Sequence, residues 1–430
     1  MTNRFSLLLV ASLSASVGWA ASSVNSVSVE QNPSTGRVTV SYALRGDPAV
    51  ITIDIQTNAT DSATGWVSIG GANLSHLIGA VNRLNKNTGG TSFAYWLPER
   101  AWKDGVFAEH ARAVVTAWPT NNPPPYMAVD LVNAKSVFFY ASREEIPGGD
   151  SDDRYKTVMM LMRKIPAADV VWRMGTADSP RCKLLLTENY YMAVYEMTQQ
   201  QFAYASSELA DNFKKAVSDP LKPFGAYRYD MFRGGPGPSS SCRWPDKKHA
   251  VRADGVLAAL RNRTGVQFDI PMEAQWEFAC RAGTGDEWNG ESSGDLGWYS
   301  NNWSEDATLS ANGLHRVGLK KPNAWGLYDM HGNAWEVCLE TVGNYSSQEW
   351  ISWTPGDDPL ENPTNPADYK KTTTDDLEGR YLIYCGGGYV NEYGGCGSSA
   401  YHTEREWNDV WCNRYDYLGY RLAAPAEILH

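Results

Sequence analysis

The eleven residues GLYDMHGNAWE (326–336) decide how the chain must fold. They place two carboxylates, Asp329 and Glu336, seven positions apart. On an unbroken helix both would share a face, but Gly332-Asn333 interrupts any helix between them. A loop here curls both side chains, with main-chain carbonyls from between them, around one hard cation. Calcium takes six to eight such oxygens at about 2.3–2.6 Å. Two other readings stay open. The carboxylates could cap local backbone N–H groups, or form an acid/base pair of the glycosidase kind.

The surrounding composition suits a loop-rich domain. The 430 residues include 17 Trp, 23 Tyr and 38 Gly. From Gly283 onward regular periodicity fades for about 150 residues, and bound ions or disulfides are the usual means of fixing such loops. Before that point two helices are predicted. VRADGVLAALRNRTG (251–265) spaces Val251, Val256, Leu257 and Leu260 near a helical period and stops on Gly. PMEAQWEFACRAG (271–283) starts on Pro, carries Glu273 early and also stops on Gly, with Trp276, Phe278 and Ala279 as core candidates.

Residues 22–142 read differently. Val38, Val40 and Tyr42 alternate, as do Ile51, Ile53 and Ile55, and ARAVVTAW (111–118) is a further β-rich run. The expectation is a β-sandwich without chemistry of its own. EEIPGGDSDD (144–153) is acidic and holds Pro and Gly, so 143–155 reads as a linker. The second domain then covers 156–430.

The first twenty residues carry the pattern of an export signal. Arg4 opens it, FSLLLVASLSASV is an apolar run too short for a stable anchor, and Gly18 and Ala20 sit at the −3 and −1 positions. A buried N-terminal helix is the alternative. The mature protein is therefore expected to be extracytoplasmic, secreted or held at the cell surface or in the periplasm. No other apolar run is long enough for a membrane span. A net charge of −11 without a basic patch argues against nucleic acid. The seven cysteines, 182, 242, 280, 338, 385, 396 and 412, are an odd number with no zinc-like spacing, and export favours disulfides among them.

Five stretches in order, YMAVYEMTQQQF (191–202), PMEAQWEFACRAG (271–283), PNAWGLYDMHGNAWE (322–336), GGGYVNEYGGC (386–396) and LGYRLA (418–423), resemble the formylglycine-generating enzyme, or sulfatase-modifying factor, family. The resemblance covers about 156–426. It implies a C-type-lectin-like fold with little regular structure. It also implies calcium held by the side chains of Asp329 and Glu336 and the carbonyls of Gly332 and Ala334. A second calcium site is not expected: Asn302 matches one ligand, but nothing near 309–311 supplies the acidic one.

Active members of that family bind Cu(I) through two cysteines five residues apart. Here the second position is Cys396 and the first is Asn391. An amide does not replace a thiolate for Cu(I), so copper is not expected. Cys396 is then a half-cystine, an inert thiol or a catalytic thiol. Of these the half-cystine is favoured, with Cys338 as its partner. Cys280, whose partner position in relatives is Leu422 here, must pair elsewhere or remain a thiol. Trp335 is expected in the core and Arg421 as a buried donor. The stretch 401–417, with Tyr401, Trp407, Trp411, Arg414 and Tyr417, holds the residue types of an interface for a protein or carbohydrate. Loop anchoring is the competing role. The leading function is an exported, calcium-stabilised binding or structural module. The alternative is an oxidase that converts a sulfatase cysteine to formylglycine.

Overall fold

The computed structural model describes residues 22–58, 64–74, 76–102, 110–175, 180–225, 227–233, 251–285, 288, 293–300, 302, 313–342, 349–350, 359–361, 370–371, 381–388, 401–405 and 418–428. These are mostly β with a few short helices. The chain divides into two compact units. One takes residues up to 128 with 137–152 and the last five, and the other takes 129–136 and 153–425.

The first unit is built on two antiparallel sheets. In one, β2 (Val38–Arg45) lies between β1 (Ser23–Gln31) and β5 (Thr91–Trp96). In the other, β3 (Ala49–Asn58) pairs with β4 (Arg83–Asn85) and, over its whole length, with β6 (His110–Pro119). Side chains two apart on a strand share a face. Accordingly Val40, Tyr42, Ile51, Ile53 and Ile55 enter one buried cluster with Ala94, Trp96 and Val115. The Tyr42 hydroxyl donates to the Ala80 carbonyl at 2.5 Å and accepts from Asn85 Nδ2 at 2.8 Å, so the ring is buried without stranding its polar tip.

The segment read as a linker does not run free. Residues 137–152 group with the first unit. Arg143–Glu145 forms a short 3-10 turn, Ile146 is buried, and Arg143 pairs with Asp150 at 2.6 Å. A side chain on Gly71 would collide with the backbone of Glu144 and Glu145, so the turn packs directly on the 71–74 turn. Gly148 and Gly149, both at positive φ, fold the chain back. Turn residues and acids made this segment look like a spacer in sequence, but Ile146 supplies the anchor that holds it down.

The second unit contains β7 (Met159–Ile165), β10 (Tyr190–Ala193) and β14 (Ala423–Pro425) as antiparallel neighbours, and a hairpin of β8 (Val170–Gly175) with β9 (Pro180–Leu186). A further sheet places β11 (Trp335–Val342) between β12 (Tyr381–Cys385), antiparallel, and β13 (Leu418–Gly419), parallel. Three motifs far apart in sequence thereby become neighbours. Helix α1 (Gln199–Ala205) starts on a Thr198–Gln201 capping box. The helix expected over 251–265 is α2 (Val256–Thr264). It begins after Gly255 and ends on Gly265 at φ 76°. The helix expected over 271–283 is α3 (Glu273–Arg281). It ends two residues before Gly283, with Ala282 taking the left-handed turn at φ 49°. All nine residues of α3 are buried. Trp276 lies in a cluster with Met192, Met330, Cys338, Ile383 and Cys385. Among the described residues no helix is long and apolar enough to cross a membrane.

Glu145 gives the first unit a pH dependence. Burial pushes its carboxyl from 4.5 up to about 7, against the Ala141 N–H that it accepts, with Asp54 and Glu144 adding repulsion. The folded state thus keeps a proton that the unfolded chain has lost, and stability falls as pH rises from about 4.5 to 7. Glu145→Gln keeps the acceptor without the charge. It is expected to stabilise by about 1–2 kcal/mol at pH 8 and by little at pH 4. Thermal melts at both pH values check this, and an equal effect at the two would refute it.

Candidate functional site

The 326–336 loop is shaped by backbone that few residues adopt. Asp329, Gly332 and Asn333 have φ of 57°, 95° and 60°. Gly332 is required, because a Cβ there would strike the Trp298 carbonyl. Its N–H donates to Gly386 O at 2.8 Å, and the Asn333 N–H donates to Trp298 O at 2.9 Å. The loop is therefore tied to two other segments before any side chain acts.

The side chains then close a buried ionic cluster. Arg421 is fully buried, and Glu336 is 1% exposed. Arg421 Nε donates to both carboxylate oxygens of Glu336 at 3.0 and 2.8 Å, and Nη2 donates to Oε1 at 2.6 Å. Its remaining donors reach the carbonyls of Ala193, Val194 and Tyr328 at 2.8–3.0 Å. Trp276 Nε1 donates to Glu336 Oε2 at 2.5 Å. Burial alone lowers the Arg421 pKa, but the Glu336 charge outweighs it and holds the guanidinium ionised.

A third acid, Glu196, joins from beyond β10. It accepts from Asn333 Nδ2 at 2.7 Å and from the Ala334 N–H at 2.9 Å. Burial, then the charges of Asp329 and Glu336, pushes its carboxyl well above the usual range, against the pull of Arg421. Asp329 is likewise pushed up to about 6, by burial first, while the Gly318 N–H and Arg421 act against it. Asp329 Oδ2 accepts from Gly318 N at 2.6 Å, whereas Oδ1 is buried with no hydrogen-bond partner among the described residues.

The ligand set expected for calcium is thus brought together only in part. Asp329, Gly332 and Ala334 share one loop, and Glu336 is the second residue of β11, which follows it. Glu336, however, gives its oxygens to Arg421 and Trp276, because LGYRLA lands on the strand beside it. No group of three or more His, Cys, Asp or Glu is arranged around a metal position among the described residues. Two observations still fit a cation on the Asp329 side. Three buried carboxylates face one guanidinium, and one carboxylate oxygen is orphaned. Glu196 was missed in the sequence. Its signal was an acid in the otherwise apolar run AVYEM (193–197).

Asn302 pins its own turn, accepting from Tyr299 N and donating to Gly297 O. Trp335 is buried, as expected for core. Cys338 is buried, and the expected bridge from it to Cys396 ends on a residue outside the described ones. Its side chain points into the core from β11, where the neighbouring sulfur is that of Cys385 on β12. Cys280 is also a buried thiol, 3.6 Å from Met330 O and from His331 Nε2, and burial raises its pKa well above the ordinary value. Asn391, Cys396, Trp407, Trp411, Arg414 and Tyr417 lie outside the described residues. Tyr401 is placed as backbone on the strand Tyr401–Arg405, and its side chain lies outside them too.

Residues 162–426 match the sulfatase-modifying factor enzyme 1-like domain family. The chain is 27% identical to the formylglycine-generating enzyme of Bos taurus over 249 residues, which is 48% of this chain and 64% of the relative. It is 22% identical to that of Mus musculus over 238 residues, which is 46% and 62%. The matched stretch therefore spans less than two thirds of either relative. Among solved structures, variable protein 1 of Treponema denticola aligns with 62% of this chain and 96% of its own, at 20% identity and a TM-score of 0.40. PvdO from Pseudomonas aeruginosa aligns with 62% and 94%, at 20% identity and a TM-score of 0.37.

The ion pair makes a directional prediction. Arg421→Ala leaves Glu336 buried without its counter-charge and should cost about 3–5 kcal/mol. Glu336→Gln leaves the guanidinium its three carbonyls and removes one of three crowded acids, so it should cost clearly less. Urea denaturation of both variants checks the order, and the reverse order would contradict the assignment.

Proposed function

The chain belongs to the sulfatase-modifying factor family, and from that premise we propose that it is a calcium-stabilised member without oxidase chemistry, working outside the cytoplasm as a binding or structural module. In this reading the first unit is a β-sandwich spacer or docking domain, and the second has the C-type-lectin-like arrangement.

The observation that carries the proposal is Asn391, five residues before Cys396. Where the family resemblance expects two thiolates for Cu(I), this chain offers one sulfur and an amide. An amide is a hard, neutral donor and does not complete a soft two-sulfur site. The residues present do not fit copper. The described thiols cannot stand in for the missing one, since Cys280, Cys338 and Cys385 are each at most 2% exposed. A peptide cysteine could not reach them. That Cys396 is retained favours the competing oxidase reading.

For calcium the residues fit on one side of the loop. Asp329 would supply the orphaned Oδ1 and Gly332 and Ala334 would offer main-chain carbonyls, while Glu336 serves the cluster through Arg421. The ion would balance the excess of buried carboxylate and lock the loop; Asp329, Asn333 and Glu196 do the positioning. The aromatic and polar side chains of 401–417 are the proposed recognition surface for a protein or carbohydrate.

Two measurements test the proposal. A ligand at 100 times its dissociation constant stabilises by about 2.7 kcal/mol, so a chelator should lower the melting temperature by several degrees and Asp329→Asn should abolish that response. A chelator without effect would remove calcium from the account. Separately, incubation with Cu(I), oxygen and a cysteine peptide should leave the peptide mass unchanged. A mass loss matching aldehyde formation would establish the oxidase instead.

A further inference from the structure

We propose that Cys338 and Cys385 form a redox pair that closes as a disulfide when the chain folds under oxidising conditions, tying β11 to β12 directly beside the buried ion pair. Their Sγ atoms lie 3.7 Å apart. A disulfide requires about 2.05 Å, so the two sulfurs must close the remaining gap of roughly 1.7 Å. The strands are antiparallel neighbours with Glu336 opposite Cys385. Cys338 is two residues beyond Glu336, on the same face of β11. The register breaks between Val337 and Thr341, so β11 has slack at the point where the approach is needed.

The third thiol of this core does not compete for the same bond. Cys280 Sγ is turned to the 326–336 loop, at Met330 O and His331 Nε2. Cys338 is fully buried and Cys385 is 2% exposed. Neither sulfur is open to a reagent once the sheet has closed, so oxidation belongs to folding. The oxidant is a small disulfide acting by exchange. One protein thiolate attacks it and expels one small thiol, leaving a mixed disulfide. The second protein thiolate then displaces the other small thiol. In sum two protein thiols lose two protons and two electrons, and the small disulfide is reduced to two thiols. The closed loop spans 47 positions, and cross-linking it restricts the unfolded chain. This inference is independent of whether the protein is an oxidase.

The test is a peptide map of the full-length protein refolded in a glutathione redox buffer and, in parallel, in dithiothreitol. Each sample is alkylated, then digested without reductant. The glutathione sample should yield a linked peptide containing Cys338 and Cys385, lighter than the two separate peptides by two hydrogens. Its melting temperature should exceed that of the reduced sample by about 5 °C or more. In Cys338→Ala, Cys385 should be alkylated and the redox dependence of the melting temperature should disappear. Both cysteines alkylated in the soluble glutathione-refolded protein, or either one linked to a different cysteine, would overturn the proposal. The map is made on the unaltered chain, so it decides the question even where a variant fails to fold.

Discussion

One buried guanidinium holds the second unit together. Arg421 binds Glu336 with two of its nitrogens and spends its other donors on the carbonyls of Ala193, Val194 and Tyr328. These partners sit on the strand near 190, the 326–336 loop and the strand that follows it. Elements separated by up to 228 positions are therefore fixed at a single point. A buried ion pair adds little net stability, since desolvation offsets most of its attraction. Its effect here is selectivity: any other arrangement of these segments leaves a charge or several carbonyls unpaired. Trp276 extends that control to α3, whose indole donates to the same carboxylate.

The cluster around this pair is unbalanced, and the imbalance points to function. Glu196 and Asp329 add two acids, and the Lys156 ammonium, which acts on Asp329, offsets part of that charge. Such a group is tolerable only if protons or a cation offset the charge. A hard divalent ion suits carboxylate and carbonyl oxygens, whereas a soft one wants sulfur. The family's oxidative chemistry would instead require two accessible sulfurs. In the proposed reading Asn391 stands at one of those positions, and the described thiols are enclosed in the core.

Much of this was readable in the sequence wherever the signal was local. The alternation of Val38, Val40 and Tyr42 and of Ile51, Ile53 and Ile55 corresponds to strand faces that are buried. Gly265 stops a helix in the left-handed conformation. Asp329 and Glu336 are both buried at the ends of one short segment, the first in a loop and the second on β11. What was not readable depends on contacts between distant segments. Glu196 looked like one charge in an apolar strand, and only the fold brings it to Asn333. The meeting of Cys338 with Cys385 is set by the pairing of β11 with β12, which no spacing announces. The 143–155 segment has a linker's composition, and its first part is held by buried Ile146, the Arg143–Asp150 pair and the bare backbone of Gly71.

The central claim is that this scaffold carries a hard cation and no copper. Elemental analysis of the purified full-length protein, equilibrated with equal calcium and Cu(I) and then freed of unbound metal, tests it most directly. The account predicts about one calcium per chain and no retained copper. Copper retained at about one per chain, with calcium absent, would contradict it.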